Sequence, residues 1–449
     1  MQNSLLAKYS GSVPRYTSYP TAPHFHEGVD CGKYAQWLGE LGAGHDLSLY
    51  VHIPYCDRLC WFCACHTKHT LKYEPIASYL ASLKKEIARV GALVSRDAKV
   101  AAVHFGGGSP TMVKPEDLTD LMAAFRAAFD FKDDVEISVE MDPNDLDEAR
   151  YDALAAIGMT RASLGVQDFD PKVQKTINRI QTFEQTKSVV DAVRARGVHS
   201  VNCDILYGLP YQTMETLEAT VNDIVSLSPD RIALFGYAHV PWMKKHQTMI
   251  PEEALPGIDM RFAQMTRAAE MLLAAGYEPI GIDHFARPDD RLAVAARTGK
   301  LRRNFQGYTD DAAEALIGFG ASSIGQLPQG YVQNMPATGE YQRMADADGL
   351  TVVRGIALSE DDRLRSMVIE QIMCRFAFSF AAVREAFPVI GETVIAEARQ
   401  FAASNPDRIC EIVADEFRLT EAGKPFARSI AAVFDSYLAT GKGRHSIAV

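Results

Sequence analysis

The sequence predicts an α/β fold. Its centre is a closed or partly closed, TIM-like barrel of six or more βα units, with an arm before it and a mainly helical module after it. Three observations carry this expectation. Short β-rich runs alternate with amphipathic helical runs from about residue 48 to residue 286. Several of those β-rich runs carry one apolar and one polar row, as strands do when one face packs and the other lines a polar cavity. The chain has 449 residues, 47% apolar and 23% charged, enough for a large catalytic domain and a smaller appendage. Periodicity alone leaves an open doubly wound sheet as the competing arrangement.

The elements follow in order. Residues 1–47 hold Pro14, Pro20 and Pro23 around Arg15, Tyr16 and Tyr19, and read as an extended arm lying on the main domain. The barrel core is expected over 48–286, with strands at "SLYVHIP" (48–54), "VAAVHFGGG" (100–108), "DVEISVEMDP" (134–143), "RASLGVQ" (161–167), "SVNCDILYGLP" (200–210) and "RIALFGYAHV" (231–240). "PIGIDHF" (279–285) is a seventh candidate. Helices between them are marked by Pro115 near one start and Gly197 at one end. Residues 287–354 read as a barrel extension forming the substrate mouth, and 355–449 as a C-terminal helical domain. There "SEDDRLRSMVIEQIMCRF" and "GETVIAEARQFAASNP" are helices, "RICEIVADEFRLTEAG" a hairpin and "KPFARSIAAVFDSYL" a last helix, a winged-helix-like set. No basic recognition helix accompanies it, so packing or a lid role is expected.

Strand parity locates the cavity. Ile137, Val139 and Met141 share one face of their strand, while Glu136, Ser138, Glu140 and Asp142 share the other. The same split pairs Tyr50 with His52, Ser163 with Gln167, and Asn202 with Asp204. A ligand site at the C-terminal mouth of the strands follows.

The formal net charge of -11 argues against nonspecific attraction to nucleic acid or anionic lipid. No apolar run reaches membrane-spanning length, and the first twenty residues lack the charged head and apolar core of a signal peptide. A cytoplasmic, monomeric protein with reduced thiols is expected. Cys31, Cys203, Cys374 and Cys410 are scattered and read as small buried residues.

The other four cysteines, Cys56, Cys60, Cys63 and Cys65, crowd into "YVHIPYCDRLCWFCACHTKHT" (50–70). Three readings compete. The first three could share a helix face in a core, which Pro54 opposes. A four-thiolate zinc site would normally draw separated Cys-x2-Cys pairs from two chain segments. An iron–sulfur cluster takes clustered thiolates, and a C-x3-C-x2-C loop can bind three irons of a cubane and leave the fourth open.

With Phe62 before the third cysteine and "GGGSPT" (106–111) after the second strand, the loop resembles the radical S-adenosylmethionine superfamily. Within it, "PRYTSYPTAPHF", "HFGGGSPT", "VEMDPND", "SLGVQDFD", "NCDILYGLP", "GYAHVPW", "IGIDHFA" and "RRNFQGYT" are similar to the oxygen-independent coproporphyrinogen III oxidase family of anaerobic haem biosynthesis. The resemblance implies a (β/α)6 partial barrel of the radical SAM type and a [4Fe–4S] cluster on Cys56, Cys60 and Cys63. It also implies two S-adenosylmethionine molecules. Tyr50, Gly107, Glu140 and Ile324 would surround the cluster-bound one, and Phe62, Gly108, Ser109, Gln167, Arg179, Asp204 and Ala238 the second. Cys65, Tyr50 and Glu140 would stand at the reacting centre.

The reaction so implied is reductive cleavage of S-adenosylmethionine, fed by a one-electron donor protein, and hydrogen abstraction from a propionate. Two propionates of coproporphyrinogen III become vinyl groups, giving protoporphyrinogen IX, carbon dioxide, methionine and 5′-deoxyadenosine. The densest basic stretch, "RPDDRLAVAARTGKLRRNFQGYT", offers Arg302 or Arg303, with Arg15 from the arm, as partners for propionate. A haem-binding chaperone and a related anaerobic haem-modifying radical enzyme are the rival readings. Cys65 and the "RYTSYPT" arm separate this chain from the chaperones.

Overall fold

The computed structural model describes residues 2–144 and 146–438, so 439–449 of the expected C-terminal domain lie outside the described residues. Six strands make the core: β1 Asp46–Ile53, β2 Lys99–Gly107, β3 Asp130–Met141, β4 Arg161–Gln167, β5 Ser200–Tyr207 and β6 Arg231–Gly236. Each pairs in parallel with the next. The connecting helices include Glu74–Gly91, Pro115–Ala128, Phe183–Ala195 and Met214–Leu227, as parallel pairing requires of its crossovers.

The barrel does not close. Beyond β6 lie the antiparallel strands His284–Ala286 and Glu278–Ile280. Beyond β1 lies Ala315–Phe319 in parallel, followed antiparallel by Ile324–Leu327, Gly330–Asn334 and Val352–Ala357. All twelve strands form one sheet. Its outward row, including Val51, Val139, Leu164, Val201 and Ile205, is buried in the main apolar core. Its inward row, including His104, Glu140, Ser163, Asn202 and Asp204, lines a lumen of about 210 Å³. The curl is what brings residues from all six strands to one space.

One carboxylate fastens the 315–357 extension to the barrel. Glu86, on helix Glu74–Gly91 and only 2% exposed, accepts from Tyr341 Oη at 2.6 Å, Asn334 Nδ2 at 2.6 Å, Thr351 Oγ1 at 2.8 Å and the Gly320 N–H at 2.8 Å. Burial pushes its carboxyl from 4.5 up to about 7, against the pull of those four bonds. Between these values the folded chain keeps a proton that the unfolded chain releases. Stability contributed by this group at low pH is therefore lost as pH rises through the window, on the order of 3 kcal/mol in all. Glu86→Gln should flatten the fall in melting temperature across that window relative to the parent; identical slopes would contradict the assignment.

Four expectations need correction. The arm is not extended throughout: Gln2–Tyr9 and Cys31–Gly39 are helices. Nor does it lie only on the main domain, because Leu5, Leu6, Tyr16 and Tyr19 are buried in the C-terminal core with Phe378 and Phe417. Tyr16 Oη donates to Asp435 Oδ2 at 3.0 Å. "PIGIDHF" is two antiparallel strands rather than one, since Gly281 turns the chain at φ +57 where a Cβ would stand 2.0 Å from the Tyr308 ring. The last helix is broken into short turns, Lys424–Phe426, Ala427–Ala431 and Ala432–Phe434. The C-terminal hairpin, Cys410–Val413 with Glu416–Leu419, takes Ala377–Ser379 as a third strand.

Candidate active site

The cysteine loop leaves β1 through the short strand Tyr55–Cys56. Its apolar members fix it: Trp61 and Phe62 pack against Val173, Ile177, Leu209 and Tyr237. Its backbone is held from two sides. Trp61 N–H donates to Ile177 O at 2.9 Å, and Asn178 Nδ2 donates to Leu59 O at 2.8 Å. Opposite, Gln247 Nε2 donates to Phe62 O at 2.8 Å, His246 Nε2 to Cys63 O at 2.7 Å and Lys244 Nζ to Cys65 O at 2.7 Å. Gln247 is fully buried and also donates to Ala238 O at 3.3 Å, tying the segment that follows β6 to the loop.

All four thiols are unbridged; Cys60 is buried, Cys56 and Cys63 half-buried, Cys65 exposed. Burial pushes the Cys56 thiol up to about 12, while the Cys65 hydrogen bond draws Cys63 down to about 7. Among the described residues no three His, Cys, Asp or Glu side chains are arranged to hold one metal ion. Three thiols within eight residues of one loop suit a cluster, where each thiolate binds its own iron. Arg179, 8% exposed, donates to Cys60 Sγ at 3.7 Å and Gly165 O at 2.6 Å and pairs with Asp142 at 3.0 Å.

The polar row meets the glycine run at Glu140. Its Oε1 accepts from His104 Nε2 at 3.2 Å and its Oε2 from the Gly107 N–H at 3.0 Å. Burial works against ionisation, yet His104 and the Gly107 N–H hold the carboxyl below its ordinary value. Burial pushes His52 down to about 4, so its imidazole is neutral. Its Nε2 faces His66 O at 2.9 Å, an acceptor, so Nε2 carries the proton and Nδ1 accepts from Tyr50 Oη at 3.0 Å. Tyr50 stacks on His104 at 5.8 Å. The glycine run fits between these groups: a Cβ at Gly107, φ +110, would lie 2.5 Å from His52, and one at Gly108 2.5 Å from Tyr55 O. Gly108 and Ser109 donate their N–H groups to Ile53 O and Tyr55 O at 2.8 and 2.7 Å, binding β2's end to the loop.

Of the remaining candidates Asp204 lines the lumen, while Ser109, Gln167 and Ile324 are not among its described lining residues. Ser109 is buried against Thr111 at 3.0 Å. Gln167 ends β4 at φ +71, over a bulge in the β4–β5 pairing. Asp204 accepts from Asn202 at 2.7 Å and is pushed up to about 6 by burial. Ile324 opens the strand next to Ala315–Phe319.

A larger cavity of about 640 Å³ abuts the lumen, with Phe235 and Gln306 lining both. Four arginines line it: Arg15 of the arm, Arg261 of helix Ile258–Ala274, Arg303 of strand Arg302–Asn304 and Arg428 of helix Ala427–Ala431. Phe235, Tyr237, Trp242 and Ile282 supply apolar wall, and Asp283 is the one carboxylate among its lining residues. Burial, with Arg15 and Arg303 nearby, lowers Arg428 to about 10. Arg303 lies over the Tyr308 ring at 4.4 Å, and its Nε and Nη1 are buried with no hydrogen-bond partner among the described residues. Arg302 is not part of this cavity: it faces the other way and pairs with Glu370 at 2.9 Å, because adjacent strand residues point to opposite sides. Arg261, Arg428 and the Lys244–Gln247 clamp were not singled out from sequence, and no local pattern marks them.

A fold with six parallel strands, a three-cysteine loop after the first and a glycine run after the second defines the class. A family profile for the Radical SAM superfamily matches residues 50–224. The oxygen-independent coproporphyrinogen III oxidase of Bradyrhizobium diazoefficiens is 47% identical over 437 residues, covering 97% of each chain. That of Paracoccus denitrificans is 47% identical over 444 residues, covering 99% of this chain and 98% of its own. The solved coproporphyrinogen III oxidase of Escherichia coli, a radical SAM enzyme, is 36% identical with a TM-score of 0.91, covering 97% of this chain and 98% of that one. The chain is a member of the radical SAM superfamily. Within it, the chain belongs to the oxygen-independent coproporphyrinogen III oxidase family.

Proposed function

We propose that this chain converts two propionate side chains of coproporphyrinogen III to vinyl groups without oxygen, giving protoporphyrinogen IX and carbon dioxide in anaerobic haem biosynthesis. Methionine and 5′-deoxyadenosine are the co-products. The observation that carries the reading is the four-arginine cavity that abuts the polar lumen, with Phe235 and Gln306 lining both. Cations held in a partly apolar cavity suit a flat, largely apolar macrocycle edged with carboxylates.

The bound [4Fe–4S] cluster and S-adenosylmethionine supply one-electron, hydrogen-abstracting chemistry. Cys56, Cys60 and Cys63 would hold the cluster, with their loop carbonyls fixed by Lys244, His246 and Gln247. Tyr50, Gly107, Glu140 and Ile324 would receive the cluster-bound S-adenosylmethionine. An ionised Glu140 is suited to an ammonium or a ribose hydroxyl. Phe62, Gly108, Ser109, Gln167, Arg179, Asp204 and Ala238 would surround a second molecule. Arg15, Arg303, Arg261 and Arg428 would orient propionates, while Phe235 and Tyr237 exclude water from the reacting carbon. Cys65 stands exposed at the lip as a candidate for the reacting centre. Unbridged thiols fit a cytoplasmic enzyme served by a one-electron donor protein.

Anaerobic turnover of iron-reconstituted protein with S-adenosylmethionine, dithionite, an electron acceptor and coproporphyrinogen III tests this reading. The tetrapyrrole should lose two carboxyl groups as 5′-deoxyadenosine accumulates. If 5′-deoxyadenosine forms while the tetrapyrrole mass stays fixed, the substrate assignment fails.

A further inference from the structure

Three segments wrap the cysteine loop: the loop itself with its exit (56–73), the stretch 170–180 and the clamp 241–250. The contacts at Ile177, Asn178, Lys244, His246 and Gln247 hold them together. Their charge is opposite to that of the molecule. The chain carries 46 lysines and arginines against 57 acids, yet these segments carry eight against two, Asp57 and Asp170. Both acids are engaged, Asp57 with Arg58 and Asp170 in capping helix Pro171–Thr176. Arg179 is buried on Asp142.

The lysines here differ from those elsewhere. In the rest of the described chain seven of ten lysines pair with a carboxylate, as Lys99 does with Asp130 and Lys187 with Asp191. Among the described residues none of the six lysines in these segments has a described carboxylate partner, and Lys68, Lys72, Lys172, Lys175 and Lys245 are exposed. Apolar surface gathers at the same place. Of twelve large apolar residues exposed on the described chain, four besides the cavity-lining Trp242 fall here: Leu71, Ile180, Met243 and Met249. Leu71 is 81% and Met243 64% exposed. Lysines without a described carboxylate partner, beside exposed apolar side chains, make a protein-docking face, with charge to steer and apolar area to hold.

We propose that this face docks a small acidic one-electron carrier protein, which is oxidised by one electron as the cluster behind the loop is reduced by one. The proposal rests on reading the chain as a cluster enzyme. Its occupant follows from charge complementarity and from position, since the three segments share the loop that would hold the acceptor.

The test uses the cluster-loaded enzyme and an acidic flavodoxin as the probe. The quadruple variant Lys68→Glu, Lys172→Glu, Lys175→Glu and Lys245→Glu is compared with a charge-matched control, Lys33→Glu, Lys84→Glu, Lys187→Glu and Lys300→Glu. The face variant should bind the flavodoxin at least about tenfold more weakly and lose the salt dependence seen in the parent. The control should keep the tighter binding. Flavodoxin-driven formation of 5′-deoxyadenosine should fall in parallel, with iron content and the dithionite-driven rate unchanged. Equal binding by parent and face variant would overturn the proposal. So would an equal loss under dithionite, which would place these lysines in cofactor or substrate binding. Absence of 5′-deoxyadenosine from the parent under dithionite would overturn the enzymatic reading instead, and the binding comparison would still decide the docking face.

Discussion

Alanine at Cys56, Cys60 or Cys63 is expected to reduce bound iron and sulfide to background and to abolish turnover. Each thiolate binds a separate iron, so the loss of one is not covered by the others. The fold should survive, because the loop is held by Trp61 and Phe62 in an apolar cluster and by backbone bonds from Asn178 and Gln247. None of these involves a thiol. A Cys→Ala change at the two half-buried positions should cost about 1 kcal/mol or less. Cys65→Ala should behave differently. Its backbone bonds, the N–H to Cys63 Sγ at 3.4 Å and the carbonyl from Lys244 Nζ at 2.7 Å, are retained by alanine, and only the thiol's own bond with Cys63 is lost. The variant should keep iron and sulfide while turnover falls by about tenfold or more, roughly 1.4 kcal/mol of barrier. Iron and sulfide analysis beside circular dichroism checks both halves. Loss of iron in Cys65→Ala would make it a ligand, and retained iron in a triad variant would refute the cluster assignment.

Removing one cavity arginine should raise KM for coproporphyrinogen III without altering iron content. A charge-assisted hydrogen bond to carboxylate is worth about 1.5–3 kcal/mol, so Arg303→Ala should raise KM roughly 10- to 100-fold. Arg303→Lys should recover part of this, since the charge returns without the planar fork. Arg302→Ala is the internal control: its partner is Glu370, and its KM should stay within about twofold. Arg428 needs more care, because its Nη2 also donates to Val13 O at 2.8 Å and so seats the arm. Its alanine variant should lower both substrate affinity and the protection of residues 10–20 from proteolysis. Steady-state kinetics at two salt concentrations decides between the arginines; equal effects at Arg302 and Arg303 would contradict the orientation of strand Arg302–Asn304.

What was legible in the sequence was local. The six barrel strands and their polar row follow from a period of two within each segment, and Glu140, Asp204 and Tyr50 were found that way. The cysteine loop was legible because its donors are neighbours in the chain. An extension was expected over 287–354, but its strands were not legible, since short runs such as "ALIGF" and "GYVQN" become strands only by pairing beside β1 and each other. The cavity was only partly legible. Its arginines come from positions 15, 261, 303 and 428, brought together by the arm packing into the C-terminal core. Arg302 and Arg303 were indistinguishable until the strand that separates their faces was known.

The central claim is that the arginine cavity presents a propionate to the mouth of the cysteine loop. Coproporphyrinogen III deuterated at the propionate β-carbons tests it most directly, by mass analysis of the 5′-deoxyadenosine formed in anaerobic turnover. Deuterium is expected in 5′-deoxyadenosine with the parent, and a KM for this transfer raised in Arg303→Ala. Unlabelled 5′-deoxyadenosine alongside vinyl-bearing product would contradict it.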